Sequence, residues 1–332
     1  MKQPEYLYES IKKVSSSKKL KHILESRIKI TESYKNIEDN IDPIKTENDF
    51  ISYLLSRFPS TYPVSHQIIS MLKEFDIKSL IDIGAGPATC TYASLEIFKN
   101  LSNITLVERN PFFLDFSKTV LRENFKSLNF NFVREDLTRF KYDDFYDVGI
   151  MSYVINELDD NKKEETLKKI WSKINDFLII IEPGTKKGFE NIRKTRELLI
   201  KEKGYIYAPC THNLACPIKD DDWCHFYKRV ERTKEQMYLK SATESYEDEK
   251  FAYLIVSKKE LTQLANFKSN EDEDENSNNK KSRIIRFPRI LKGHVSFEIC
   301  NESGINKLTV SAKNKNYKSS KKLSWGDLIE ND

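Results

Sequence analysis

The sequence predicts an α/β fold built on a mostly parallel sheet, and three observations predict it. An apolar strand runs straight into a glycine turn at Leu80-Ile81-Asp82-Ile83-Gly84-Ala85-Gly86-Pro87. From Ser79 to about Gly184, short β-rich runs at 80–86, 103–108, 130–136, 147–153 and 177–183 alternate with helical stretches such as 111–125 and 160–174. That rhythm is the signature of right-handed βαβ units. Finally, 332 residues with a 39% hydrophobic fraction leave room for one α/β domain of roughly 200 residues plus appended segments.

Residues 1–75 read as helical, with apolar residues at helical spacing from Leu7 and Tyr8 to Ile11, at Phe50, Ile51, Leu54 and Leu55, and at Val64, Ile68, Ile69 and Leu72. The prolines of Arg57-Phe58-Pro59-Ser60-Thr61-Tyr62-Pro63 predict an inter-helix turn. Residues 76–265 form the α/β domain, which includes a helix at about 187–203 and a Cys- and Pro-containing loop at 208–226. An acidic run, Asn270 to Asn279, predicts a disordered linker over 266–282. A basic β extension at 283–332 follows, with strands at 283–300 and 307–313.

The formal net charge of +4 permits an anionic partner without demanding one. Positive charge is concentrated late in the chain, at Lys280, Lys281, Arg283, Arg286, Arg289 and Lys292, then at Lys313, Lys315, Lys318, Lys321 and Lys322. The first residues carry neither an apolar signal core nor an Arg-rich leader, and no run approaches the roughly 18 apolar residues of a membrane span. A soluble protein is expected, and its five cysteines are expected as reduced thiols or metal ligands.

Glycines in the turn after β-run 80–83 let backbone approach a ligand where a Cβ would intrude. The pattern is D-x-G-x-G-P, not G-x-G-x-x-G, and no Lys-Ser/Thr follows. That favours a nucleoside without a pyrophosphate. The arrangement resembles class I methyltransferases, which implies a mostly parallel Rossmann-like sheet and S-adenosyl-L-methionine (SAM) as cofactor. By the same resemblance Asp82, Gly84, Ala85 and Gly86 shape the cofactor turn, Glu108 meets the ribose hydroxyls and Asp136 the adenine. A plainer reading makes Glu108 and Asp136 caps of the helices that follow.

Catalysis is less marked. Ser152-Tyr153-Val154-Ile155-Asn156-Glu157-Leu158 stands where amino-methylating relatives of this fold carry Asn/Asp-Pro-Pro-aromatic, and no Pro-Cys pair supplies a nucleophile. Tyr153, Asn156 and Glu157 are the candidates, and Cys90 reads as a small buried residue.

Cys210, Cys216 and Cys224 fall in one short loop as C-x5-C-x7-C, and Cys300 ends a later strand. Four thiolates suit tetrahedral zinc or a 4Fe-4S cluster. The wide spacing, with Pro209 and Pro217 alongside, leans toward the cluster. His212, His225 and His294 keep a mixed Cys3His site open.

From Arg57 onward the chain resembles the methyltransferase-like assembly factors of the small ribosomal subunit, mitochondrial and bacterial. The pieces are Ile181-Glu182-Pro183-Gly184-Thr185 with Gly188, Phe189 and Arg193; Ala208-Pro209-Cys210; Cys216-Pro217; Asp222-Trp223-Cys224-His225-Phe226; Tyr246 to Tyr253; Arg286-Phe287-Pro288-Arg289 with Lys292-Gly293-His294-Val295; and Trp325-Gly326-Asp327. The resemblance implies a SAM-binding domain and a 4Fe-4S cluster on Cys210, Cys216, Cys224 and Cys300. It implies binding to the small ribosomal subunit and its rRNA with little or no methyl transfer. It gives the late lysines and arginines a use as phosphate contacts. An active rRNA methyltransferase is the alternative, and a small-molecule methyltransferase with structural zinc a weaker one. The expected state is a monomer when free, off the membrane, in the mitochondrial matrix of a eukaryote or the cytoplasm of a bacterium.

Overall fold

A computed structural model describes residues 3–35, 43–219, 221–261 and 281–330. The acidic run 270–279 lies outside them. The elements begin with α1 (Glu5–Ser15), α2 (Leu20–Lys35), α3 (Glu47–Ser56), α4 (Phe58–Ile69), β1 (Ser79–Ile83), α5 (Thr89–Ile97), β2 (Asn103–Val107), α6 (Pro111–Asn124), β3 (Asn129–Val133), β4 (Tyr146–Ser152), α7 (Asp160–Ser172) and β5 (Ile174–Pro183). They continue with α8 (Lys186–Lys201), β6 (Tyr205–Ala208), β7 (Phe226–Glu231), α9 (Lys234–Leu239), β8 (Tyr246–Ser257), β9 (Lys281–Ile284), β10 (Arg289–Leu291), β11 (His294–Asn301), β12 (Gly304–Ser311), α10 (Tyr317–Ser320) and β13 (Leu328–Glu330). Two compact units divide the chain: Met1–Ile181 with Lys228–Glu249, and Glu182–Tyr227 with Lys250–Asp332. Among the described residues, no helix is long and apolar enough to cross a membrane.

In the first unit five parallel strands run in the order β3-β2-β1-β4-β5. This is the strand order of the class I methyltransferase fold, as predicted. Leu80, Ile81 and Ile83 on β1 are almost wholly buried, as a parallel strand covered on both faces requires. The order reverses between β1 and β4, and the carboxyl ends there open the crevice in which such folds take ligands. The N-terminal helices belong to this unit. Thr46 caps α3 through a reciprocal pair with Asp49, Asn110 donates to Ile44 O at 2.8 Å, and Phe50 packs against Phe112, Phe113 and Phe116 of α6. The 228–249 segment is tied to α4 by Glu247, which accepts from Ser60, Gln236, Lys240 and Arg232.

The turn predicted at Arg57–Pro63 is instead the start of α4. Pro59 falls in the first turn, where its missing N–H would be unsatisfied anyway. Pro63 lies inside the helix and costs about 3 kcal/mol. Phe58, Tyr62, Val64 and Ile68 are fully buried along it, and at roughly 1.5–3 kcal/mol each they outweigh that cost.

In the second unit β6 runs antiparallel to β8. A separate antiparallel sheet has the order β10-β11-β9-β13, with β12 on β11. Its core is Ile284, Val295, Phe297, Ile299, Val310 and Ile329. Side chains alternate across a strand, so Cys300 falls on the face of β11 opposite Val295, Phe297 and Ile299.

Helix α8 starts in tight contact with the chain entering it. Thr185 caps it by accepting from Gly188 N–H at 3.1 Å, and a Cβ on Gly188 would lie 2.0 Å from Pro183 O. Gly188→Ala is expected to lower the thermal unfolding midpoint, with a cost of about 1–3 kcal/mol for forced backbone movement. Helix propensity alone predicts a gain of about 1 kcal/mol, so an unchanged or raised midpoint in a calorimetric scan contradicts the packing argument.

Candidate functional site

Gly84 and Gly86 both adopt left-handed backbone, with φ of 67° and 54°. The amides of Gly84 and Ala85 donate to Val107 O at 2.8 and 3.1 Å. Gly86 N–H donates to Glu108 Oε2 at 2.8 Å, and Glu108 Oε1 accepts Asn110 N–H at 2.7 Å. The turn is thus pinned to the end of β2 from beneath. A Cβ on Gly84 would lie 2.5 Å from Val154 Cγ2, whereas one on Gly86 would meet nothing within 4 Å. Gly84 is packed against the loop after β4, and Gly86 faces open space.

Asp82 does not reach that open face. It is 1% exposed and accepts from Thr91 N–H at 3.1 Å and Thr91 Oγ1–H at 2.7 Å, which anchors α5 behind the turn. Burial pushes its carboxyl up to about 7, Thr91 opposes the rise and Glu108 adds to it.

Asp136 stands three residues beyond β3, at the rim. It accepts from Thr138 N–H at 2.9 Å and from the Thr138 hydroxyl, and Arg109 lies 3.8 Å from its Oδ2. Burial alone would raise its pKa, but these partners outweigh it and hold the carboxyl below its ordinary value. Arg109 also pairs with Glu157 at 3.4 Å. Glu108 therefore serves the turn, while Asp136 lies three residues past β3 and pairs with Arg109.

Of the candidate catalytic residues, Glu157 is exposed and Asn156 half-buried. Tyr153 is unusual. Its φ is 59°, a conformation costing about 1–3 kcal/mol for a bulky residue. Its N–H donates to Ile181 O at 2.7 Å, while its hydroxyl is buried with no hydrogen-bond partner among the described residues. Arg57 sits over its ring at 6.0 Å and pairs with Glu249 at 3.1 Å. Burial, with Glu249 adding, raises the phenol well above its ordinary value, so it stays protonated. Cys90 is 1% exposed, and burial pushes its thiol up to about 12. It is a small buried residue, as predicted.

The four remaining cysteines lie in the second unit. Cys210 follows β6, Cys216 lies in the loop, Cys224 precedes β7 and Cys300 is on β11. Cys216, Cys224 and Cys300 pack against Phe189, Ile218 and Ile285. Burial raises the thiols of Cys216 and Cys224, and that of Cys300 to about 12; Cys210 raises all three further, and each of the four interacts with the other three. Among the described residues, no group of three or more His, Cys, Asp or Glu is gathered closely enough to hold a single metal ion. His225 stacks on Trp223 at 5.5 Å between ring centroids and meets Trp325 edge-on at 4.8 Å. His294 lies at the other end of β11 from Cys300, about 20 Å along the strand.

The basic segment divides differently from expectation. Arg283 is 2% exposed and donates to Pro209 O at 2.7 Å and Gly326 O at 2.6 Å. Arg286 grips both oxygens of Asp222 at 2.5 and 2.6 Å. Both are consumed by the fold. Arg289, Lys292, Lys313, Lys315, Lys318, Lys321 and Lys322 are exposed.

The state of Asp82 makes stability depend on pH. Its folded carboxyl keeps a proton to about pH 7, against an ordinary value of 3.8. The folded state therefore binds more protons between those values, and this contribution is full below about pH 4 and lost as pH rises through 7. Asp82→Asn is expected to flatten the fall in unfolding free energy between pH 4 and 7, a term on the order of 4 kcal/mol. Denaturant melts of both proteins at the two pH values check it, and parallel pH profiles refute it.

The Rsm22 family, described as mitochondrial small ribosomal subunit Rsm22, matches residues 47–330. Rsm22-cox11 tandem protein 2, mitochondrial, of Schizosaccharomyces pombe is 25% identical across 96% of this chain and 48% of its own length. Ribosome assembly protein METTL17, mitochondrial, of Homo sapiens is 24% identical across 86% of this chain and 63% of its own. The chain spans about half the length of the tandem relatives. Among solved structures, magnesium protoporphyrin IX methyltransferase from Synechocystis with bound SAM is 11% identical over 69% of this chain and 91% of its own, with a TM-score of 0.40. The family match begins ahead of Arg57, takes in the capped helix α3, and runs through the glycine turn and all four loop and strand cysteines. The chain belongs to the Rsm22 family.

Proposed function

We propose that this chain binds SAM at the glycine turn, holds a 4Fe-4S cluster on Cys210, Cys216, Cys224 and Cys300, and acts on the small ribosomal subunit of mitochondria during assembly, contacting rRNA with little or no methyl transfer. The observation that carries this reading is a family match that spans the whole glycine turn and all four cysteines while Tyr153, at the acceptor edge, is a buried protonated phenol. The names of the relatives from fission yeast and human support the mitochondrial setting and the assembly role.

For the nucleoside, Gly86 offers the open approach, Glu108 the ribose contact and Asp136 the adenine contact, with Asp82, Gly84 and Ala85 setting the shape of the turn. SAM would supply an electrophilic methyl group when bound, and of this chain's own residues Tyr153 and Cys90 are both held in their protonated forms.

A single zinc with Zn–S bonds of about 2.3 Å needs its sulfurs within roughly 4 Å of one another. Cys216, Cys224 and Cys300 share one packed cluster with Phe189, Ile218 and Ile285, and four cysteine thiols are the donor set an iron–sulfur cube would take. Thr211 Oγ1 beside Cys210 and Arg196 Nε are buried without hydrogen-bond partners among the described residues, and sulfur acceptors would satisfy them. For RNA, the exposed lysines supply sequence-independent phosphate contacts, and Phe287, Ile290 and Leu291, each at least 50% exposed, give bases an apolar surface.

An active rRNA methyltransferase is the second reading. The carboxylates of Asp136 and Glu157 on either side of Arg109 favour it, because they leave a proton acceptor at the rim of the turn.

Anaerobic purification with joint iron, sulfide and RNA analysis tests the main reading. About four iron and four sulfide per chain, with bound small-subunit rRNA, are expected; zinc without sulfide contradicts it. Gly84→Ala, strained by both φ and Val154, is expected to weaken SAM binding at least tenfold in calorimetry while iron content stays unchanged. Cys300→Ser should do the reverse, losing iron and loosening the C-terminal sheet with SAM affinity retained. Equal loss of both ligands in either variant contradicts two separate sites.

A further inference from the structure

Arg196 is a buried cation that pairs with no carboxylate among the described residues. It stands on α8 in the run Phe189, Ile192, Arg196, Leu199, all on the helix's buried face, where the spacing calls for an apolar residue. It is 3% exposed. Its Nη2 donates to His212 O at 2.8 Å and Leu214 O at 2.7 Å, and its Nε is buried with no hydrogen-bond partner among the described residues. Among the described residues no carboxylate pairs with it, unlike Arg286, which holds Asp222. Arg remains charged in any protein environment, and an uncompensated buried charge costs several kcal/mol. Negative charge must therefore reach it from another source.

Sulfur is the source its position offers. The two carbonyls it binds, His212 O and Leu214 O, belong to the loop between Cys210 and Cys216, and the buried face of α8 that carries it also carries Phe189, which packs in one cluster with Cys216, Cys224 and Cys300. One buried guanidinium is thus fixed on the loop that bears two of the four thiols. Thr211, in the same loop, also has a buried hydroxyl without a hydrogen-bond partner among the described residues. Arg193, one turn earlier on α8, is only half-buried.

We infer that Arg196 is the resident counter-charge of the four-thiolate site and the strut of its loop, a positioning residue that favours the reduced form of the bound cluster. The inference rests on the cluster reading given above. Four thiolates on an iron–sulfur cube carry net negative charge, and a one-electron reduction, with dithionite as donor, adds to it. A guanidinium fixed nearby stabilises the more negative state and so raises the potential.

The test uses the full chain, purified anaerobically, as wild type, Arg196→Gln and Arg196→Lys. Iron and sulfide are counted, the midpoint potential is read by dithionite titration, and hydrogen exchange is followed in loop 211–215. In R196Q the midpoint is expected to move negative and loop exchange to rise at least tenfold. In R196K the midpoint returns toward wild type because the charge remains, while exchange stays raised because the lysine side chain is one bond shorter and its ammonium falls short of the point where Nη2 meets both carbonyls. A loaded R196Q with wild-type potential overturns the counter-charge and leaves the cluster reading standing. A wild-type protein without iron and sulfide overturns the cluster reading itself. Where R196Q does not fold, R196K decides: wild-type loop exchange in that variant refutes the strut.

Discussion

Glu108 receives the amides of Gly86 and Asn110 on its two carboxylate oxygens, and the geometry of the first unit's site follows from that clasp. One oxygen holds the glycine turn to the end of β2, and the other sets the start of α6, whose cap Asn110 also reaches back to Ile44. Strand, turn and N-terminal helices are thereby fixed around one buried carboxylate. Both of its oxygens are taken up by backbone N–H groups, which fixes its orientation. Asp82 plays a different part. Being fully buried, it keeps its proton to near neutrality and is spent on α5, so two acidic residues 26 positions apart in sequence both hold the turn in place.

The second unit solves a harder problem. Four cysteine thiols and the Arg196 guanidinium lie in partly or fully buried surroundings. A buried guanidinium alone is unfavourable. In the proposed arrangement, thiolates on a shared inorganic core would offset its charge, and that accounts for an arginine in the apolar stripe of α8.

Most of the sheet was legible because its strands are continuous apolar runs ended by turn residues. Leu80 to Gly86 and Phe177 to Pro183 announce both period and boundary. Short β6 and β13 carry too few residues for a pattern, and α4 was read as a turn because prolines outweigh helical spacing on paper, whereas the burial of Phe58 and Tyr62 decides the matter in the fold. At the site, the left-handed glycine turn at Gly84 and Gly86 is legible from its pattern and the grouping of the cysteines from their spacing, whereas Glu108 is picked out only by the resemblance to class I methyltransferases. The inward role of Asp82, the capture of Arg283 by Pro209 and Gly326, and the left-handed backbone of Tyr153 depend on partners distant in sequence. Arg196 did leave a trace, a charged residue among Phe189, Ile192 and Leu199, but a lone arginine on a helix face reads as a solvated one until its burial is known.

The central claim is a SAM pocket kept without the reaction, on a chain that works on the small ribosomal subunit. It is tested most directly by incubating the anaerobically purified protein with methyl-labelled SAM and immature mitochondrial small-subunit particles, then measuring label in the protein-bound pool and in the RNA. The account predicts exchangeable label on the protein and none in rRNA beyond a protein-free control. Stoichiometric label in one rRNA nucleotide would contradict it.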